Sequence, residues 1–279
     1  MKNTILLFAV FAAFNSAHGQ SCCTKNSNQA FAQLAMNESF VSAHLDPLPI
    51  TDVVKLKGKN ITFKIEGQAE GKAYVSMSEF SSNNWIFVYH EWWGLNDYIR
   101  KEADKLQTSL QNVNVIAIDL FDGKVANDAK VAQELSSKLN DERARSIITG
   151  ALNYVGNDMR IVSLGWCLGG GWSLQSAFLE GQSAVGCIIY YGVPENDIEK
   201  LKSLQCDILG IFATNDKFID AKMVSNFQEN LETAGIKHTI KFYEADHAFA
   251  NPSNPKHNIE ATNAANEVVL TYLKEKFNN

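Results

Sequence analysis

The run Ile161-Val162-Ser163-Leu164-Gly165-Trp166-Cys167-Leu168-Gly169-Gly170-Gly171 sets a thiol among glycines at the end of an apolar stretch. The pattern predicts a strand, a sharp turn at Cys167 and a helix. A nucleophile in a strained turn needs small neighbours two positions away on either side, and Gly165 and Gly169 supply them. The helix N-terminus then lies behind the sulfur. Its dipole and free N–H groups favour a thiolate and can receive an oxyanion. A thiolate that attacks a carbonyl also needs an imidazole to move protons and a carboxylate to fix that imidazole's tautomer. Asp216 (after Gly210-Ile211-Phe212-Ala213-Thr214-Asn215), His247 (in Asp246-His247-Ala248-Phe249) and Glu91 (after Tyr89-His90) are the candidates.

Each has a plainer alternative. Cys167 could be an inert buried thiol, the common fate of free cysteine; the flanking glycines argue for the turn. His247 competes with His90, His238 and His257. His238 begins a strand, His257 sits in a Pro/Asn-rich segment, and His90 fits a hydrogen-bonded structural residue. Asp216 competes with Asp207 and Asp220, but Asp216 alone lies directly past a strand, while Asp220 suits a helix cap. Glu91 could be a surface carboxylate, yet it adjoins Trp92-Trp93-Gly94.

These groups must be positioned by regular elements. Ile61–Ile65 and Lys72–Met77 alternate around Gly67 and Gly71, predicting an antiparallel hairpin at a sheet edge. Trp85–Tyr89 is a short apolar run that suits a strand buried on both faces. Leu95, Ile99, Ala103, Leu106 and Leu110 recur at helical spacing. Strands follow at Val113–Leu120, up to Tyr191, at Ile208–Ala213 and at His238–Tyr243. Helices are expected within Ala126–Tyr154, near Asn196–Leu204, over Ala221–Thr233 and at the C-terminal end. Such alternation argues for a mostly parallel α/β sheet with helices on both faces, and catalytic groups at the carboxyl ends of its strands.

The 279 residues are 46% hydrophobic, enough for one large domain, and the formal net charge is -6. No basic stripe suggests nucleic acid. Lys2, the apolar Ile5–Phe14 and the small-x-small Ala17-His18-Gly19 read as an export signal over 1–19, cut before Gln20. The expected product is a periplasmic or secreted protein without membrane insertion. The apolar run is too short for a spanning anchor, and a lipoprotein form at Cys22 lacks the preceding Leu of a lipobox. Residues 20–57 read as an irregular tail broken by Pro47 and Pro49, and 58–279 as the domain. Five cysteines form no disulfide framework, and no paired Cys/His spacing suggests a metal or other cofactor. Cys187 reads as a core residue.

Glu91-Trp92-Trp93-Gly94-Leu95-Asn96, Asp119-Leu120-Phe121, Gly165-Trp166-Cys167-Leu168-Gly169-Gly170, Tyr190-Tyr191-Gly192 and His247-Ala248-Phe249 together resemble the successive motifs of the dienelactone hydrolase (carboxymethylenebutenolidase) family. The resemblance covers roughly Ile61–Phe277. It implies an α/β-hydrolase fold, a Cys167–Asp216–His247 triad and a fourth member, Glu91, that controls the thiol's protonation. It also implies an oxyanion hole from the backbone N–H groups of Leu168 and Trp92. Well-known members hold a substrate carboxylate with two arginines. Here Asp122-Gly123-Lys124 and Asn251 stand at those positions, and a lysine is a point charge rather than a fork. The expected substrate is therefore a small ester or lactone with little negative charge, bound among Trp93, Phe121, Lys124, Tyr191, Phe249 and Asn251 by a monomer. Two other readings stay open: a class I amidotransferase-like thiol enzyme, and a non-catalytic binding protein on a hydrolase scaffold.

Overall fold

The short apolar runs become strands of one sheet, and the amphipathic stretches become the helices that cover it. The computed structural model describes residues 27–50 and 55–278. In chain order the elements are helices α1 (Ser27–Ala35) and α2 (Glu38–Ala43), strands β1 (Lys59–Phe63), β2 (Gly71–Ser76) and β3 (Asn84–Tyr89), α3 (Asp97–Leu110), β4 (Asn114–Asp119), α4 (Ala129–Ser137), α5 (Asp141–Val155), β5 (Arg160–Trp166), α6 (Leu168–Glu180), β6 (Ala184–Tyr190), α7 (Ile198–Leu201), β7 (Ile208–Ala213), α8 (Ala221–Ala234), β8 (His238–Tyr243) and α9 (Ile259–Phe277).

The eight strands lie in the order β1-β2-β4-β3-β5-β6-β7-β8. β1 and β2 pair antiparallel, β2 runs antiparallel to β4, and the remaining pairs are parallel. The hairpin thus forms one edge, as its alternation predicts. β3 and β4 are buried nearly throughout, so apolar side chains on both faces meet covering helices. β8, at the other edge, keeps an alternating pattern with no fully buried position. Helix starts follow local capping chemistry: Asn96 accepts from the backbone N–H groups of Tyr98 and Ile99, and Asp220 from that of Met223 at 2.7 Å. Asp220 is therefore spent as a cap.

In the register, Tyr89 lies opposite both Gly165 and Ile118, and Trp166 lies opposite Tyr190. The carboxyl ends of β3, β4, β5 and β6 therefore come out at one level. The residues just past those ends, Glu91, Cys167 and Tyr191 among them, share one rim.

The reading of residues 20–57 as an irregular tail needs correction where they are described. Two helices form there, and Phe31, Ala35 and Phe40 are buried. α1 packs on α4 and α6, and α2 on α4. Removing a large side chain from water is worth about 1.5–3 kcal/mol, which offsets the ordering of a short segment. Backbone ties add to this. Leu48 N–H donates to the Ser253 carbonyl at 2.8 Å, and the Gln133 side-chain amide donates to the Ala35 carbonyl at 3.0 Å. The export signal, Cys22 and Cys23 lie outside the described residues.

Candidate active site

Cys167 sits between β5 and α6 at φ 55, ψ −115, a region that a non-glycine residue occupies only under strain. The glycines around it are obligatory. A Cβ at Gly165 would come within 2.0 Å of the Gly169 carbonyl oxygen, and one at Gly169 within 2.2 Å of the Tyr89 oxygen. The Cys167 N–H donates to the Tyr190 carbonyl at 3.0 Å, tying the turn to β6. Tyr191 and Ala248 also have positive φ (36 and 60), so the strained backbone gathers at this rim.

The sulfur lies 3.4 Å from His247 Nε2, and His247 Nδ1 lies 2.6 Å from Asp216 Oδ2. The other carboxylate oxygen of Asp216 accepts from the N–H groups of Phe218 and Ile219 at 2.8 and 3.0 Å. Burial alone would push that carboxyl up; the His247 charge and these donors outweigh it and hold Asp216 below the usual carboxylate value. The imidazole is packed among the rings of Tyr191, Phe40 and Phe218. With Nδ1 engaged by Asp216, the network assigns the free lone pair to Nε2, toward sulfur.

Burial and the Glu91 charge push the Cys167 thiol well above its usual range, against the backbone N–H groups of Leu168 and Trp92, which favour the thiolate. Those two donors converge on the sulfur, and could equally hold an oxyanion formed beside it. Glu91 itself is buried. It accepts from the Tyr191 hydroxyl at 3.3 Å and from the Asn251 amide. Asn251 in turn is fixed by Ser253, whose N–H and hydroxyl both donate to its Oδ1 at 2.7 Å. Burial dominates at Glu91, and its carboxyl rises to about 8. His90 is structural: Nδ1 donates to the Glu91 carbonyl at 2.6 Å, and Nε2 accepts from Leu120 N–H at 3.0 Å.

Two spaces are lined by neighbours of Cys167. One, of about 190 Å³, is lined by Glu91, Trp93, Trp166 and Asn251 among others. The other, of about 570 Å³, lies between α2 and the segments after β7 and β8, and is lined by His44, Lys217, Phe218 and His247 among others. Cys167 itself is only 2% exposed.

Of the substrate-facing residues expected from sequence, Trp93 and Asn251 line the smaller space. Phe121 packs on His90, and Phe249 on Tyr191, so both support the rim from behind. Lys124 is not brought to the site. It follows two left-handed residues, Asp122 (φ 54) and Gly123 (φ 93), and is exposed. Sequence reasoning also missed His44. It closes α2, with ring centroids 4.4 Å from Trp92 and 5.3 Å from His247. The available signal was the helical spacing of Phe31, Leu34 and Ala35 and the Asn37 cap, which would have replaced a tail by packed helices.

Residues 72–277 match the dienelactone hydrolase family. A Saccharolobus solfataricus protein provisionally named a carboxymethylenebutenolidase is 27% identical over 237 residues, covering 68% of this chain and 88% of its own. A carboxymethylenebutenolidase of a Pseudomonas species is 33% identical over 144 residues, 49% of this chain and 58% of its own. Among solved structures, a dienelactone hydrolase-like promiscuous phosphotriesterase from metagenomic libraries superposes with TM-score 0.69 at 16% identity, covering 79% of this chain and 98% of its own, a likeness of fold. The matched stretch carries β2 through α9, with the elbow thiol and every residue that hydrogen-bonds to it. The chain belongs to the dienelactone hydrolase family and is an α/β-hydrolase-fold hydrolase of the lactone and ester class.

Proposed function

We propose that this protein is an exported cysteine hydrolase of small esters or lactones that carry little negative charge. Cys167 is the nucleophile, His247 the general base, Asp216 the group that orients it, and Glu91 the control on the thiol. His247 Nε2 takes the thiol proton as sulfur attacks the carbonyl carbon, and the Leu168 and Trp92 N–H groups receive the oxyanion. Collapse expels the leaving alkoxide, which takes the proton from His247. Water activated by the same imidazole then hydrolyses the thioester and frees the thiol. The observation that carries this reading is the unbroken chain Asp216–His247–Cys167 at 2.6 and 3.4 Å.

The charge preference follows from solvation. A substrate carboxylate loses hydration on burial and must gain paired donors in return. Lys124 is exposed and the Asn251 amide is engaged by Glu91. Lys105, at the smaller space, is paired with Glu102 at 3.3 Å. Apolar Trp93 and Trp166 there suit an uncharged acyl or aryl group. Export rests on the leader over residues 1–19, and an intact mass beginning at Gln20 would support it; a mass retaining Met1 would oppose it.

The test is a panel of neutral esters, neutral lactones and a carboxylate-bearing dienelactone, run on wild type and Cys167→Ala. Wild type should turn over the neutral substrates with the higher kcat/KM, and the alanine variant should lose at least about 10³-fold. Wild-type turnover in Cys167→Ala overturns the nucleophile. A preference for the dienelactone by orders of magnitude overturns the charge argument.

A further inference from the structure

We propose that His44, Cys167 and His247 form a binding site for a thiophilic divalent cation, Zn²⁺ foremost, which silences the hydrolase when filled. Their ligand atoms, two imidazole nitrogens and the thiol sulfur, all lie within 4.8 Å of one another. Around tetrahedral zinc, with bonds of about 2.0–2.1 Å to nitrogen and 2.3 Å to sulfur, ligand atoms stand roughly 3.3–3.7 Å apart. His247 Nε2 and Cys167 Sγ are already 3.4 Å apart. His44 needs to close by about 1.5 Å at most.

A second observation points the same way independently. His44 Nε2 is buried and, among the described residues, has no hydrogen-bond partner. Its Nδ1 donates to the Phe40 carbonyl at 2.7 Å, as His247 Nδ1 engages Asp216 at 2.6 Å. Both rings thus turn an Nε2 lone pair inward with the opposite nitrogen anchored, the arrangement in which histidines hold metals. Two imidazoles and a thiolate form a soft donor set that favours zinc over magnesium or calcium.

The charges balance as well. Zn²⁺ replaces the thiol proton, which leaves to solvent, and a Zn–S bond takes the place of the S–H bond. The thiolate and the Asp216 carboxylate together offset the ion's two charges. A fourth position can face the space on the α2 side, where water or a fourth ligand completes the tetrahedron. His44 lies before residue 72, where the family match begins, so the site joins a residue outside the matched stretch to two inside it. Silencing rests on Cys167 being the nucleophile; binding does not.

The test titrates chelator-treated mature protein with Co²⁺ and with Zn²⁺. Wild type should bind Co²⁺ with proton release and a near-ultraviolet thiolate-to-metal band, and Zn²⁺ should displace the Co²⁺ and abolish the band without further proton release. Cys167→Ala should lose the band. His44→Ala and the bulkier His44→Gln should weaken binding roughly 10–100-fold. Zinc inhibition, measured against each variant's own metal-free rate, should weaken in parallel. An unchanged band in Cys167→Ala would place the ion on other cysteines and overturn the site, as would wild-type affinity in both His44 variants or no Co²⁺ binding in wild type. If Cys167→Ala keeps its turnover while wild-type binding still depends on Cys167, the nucleophile reading fails and the cation site stands.

Discussion

Two buried carboxylates act on Cys167, and their surroundings push them in opposite directions. Asp216 stands in a turn that aims two backbone N–H groups at one oxygen and His247 at the other, and it is held below the ordinary carboxylate value. Glu91 stands against tryptophans, with a tyrosine hydroxyl and one amide, and rises to about 8. Since both groups are deeply buried, the His247 charge decides the difference, with the fixed N–H donors adding to it. One acid is kept charged and can stabilise an imidazolium. The other is kept neutral at neutral pH and can gain a charge near the sulfur only above it.

The largest expected effect lies on the Asp216 side. Asp216→Asn keeps the shape and removes the charge and the tautomer preference. Its kcat/KM on an activated aryl ester should fall about 10³–10⁴-fold, with folding retained. A loss below tenfold would mean that His247 is oriented by its ring packing against Tyr191 and Phe218 alone, and the contrast between the carboxylates would lose its catalytic meaning.

A smaller effect belongs to Glu91. Below about 8 its carboxyl is neutral, so Glu91→Gln should leave iodoacetamide alkylation of Cys167 nearly unchanged there. Above about 8 the wild-type carboxylate is charged and raises the thiol, while glutamine stays neutral. Alkylation of the variant should then be faster, increasingly so as pH rises, since a lower thiol pKa means more thiolate. The prediction lies in the divergence with pH. Parallel profiles across pH 6 to 9.5 would remove Glu91 from control of the sulfur.

The two sides of the site were not equally legible in the sequence. The elbow was, because its constraint is local: glycines two residues away meet backbone oxygens that any side chain would strike. Asp216 and His247 were legible because both directly follow strands. The Trp92 N–H was reached only through family resemblance, since nothing in its neighbours marks a donor. Asn251 was legible as a site position but not in its role, because its amide is set by Glu91, 160 residues away, and by Ser253. α1, α2 and His44 were the least legible. Phe40 packs on Trp92, Phe218 and His247, partners that only the finished fold brings near. Pro47 and Pro49 mark where helix stops, and say nothing of what precedes them.

The smallest expected effect is on stability, and its sign separates the two carboxylates most cleanly. Glu91 has a folded value near 8 against an unfolded value near 4.5. Folding therefore favours its protonated form, and that contribution is complete below pH 4.5 and lost as pH rises toward 8. Glu180 behaves alike, raised to about 8 by burial, with the Ser176 hydroxyl at 2.6 Å on one oxygen. It sits at the far end of α6 from Cys167 and serves as a control without catalytic duty. Glu91→Gln and Glu180→Gln should each raise Tm at pH 9 by a few degrees and much less at pH 5, since about 1 kcal/mol moves a domain of this size by roughly 2–4 °C. Asp216 runs the other way. Its lowered value stabilises the fold above pH 3.8, and the benefit is lost as pH falls through the folded value. Asp216→Asn should therefore lower Tm at pH 7 and approach wild type only in acid, once pH has fallen through the folded value, below 3.8. If all three variants shifted Tm in the same direction at pH 9, burial alone would govern both carboxylates, and His247 and the donors around Asp216 would not be what sets them apart.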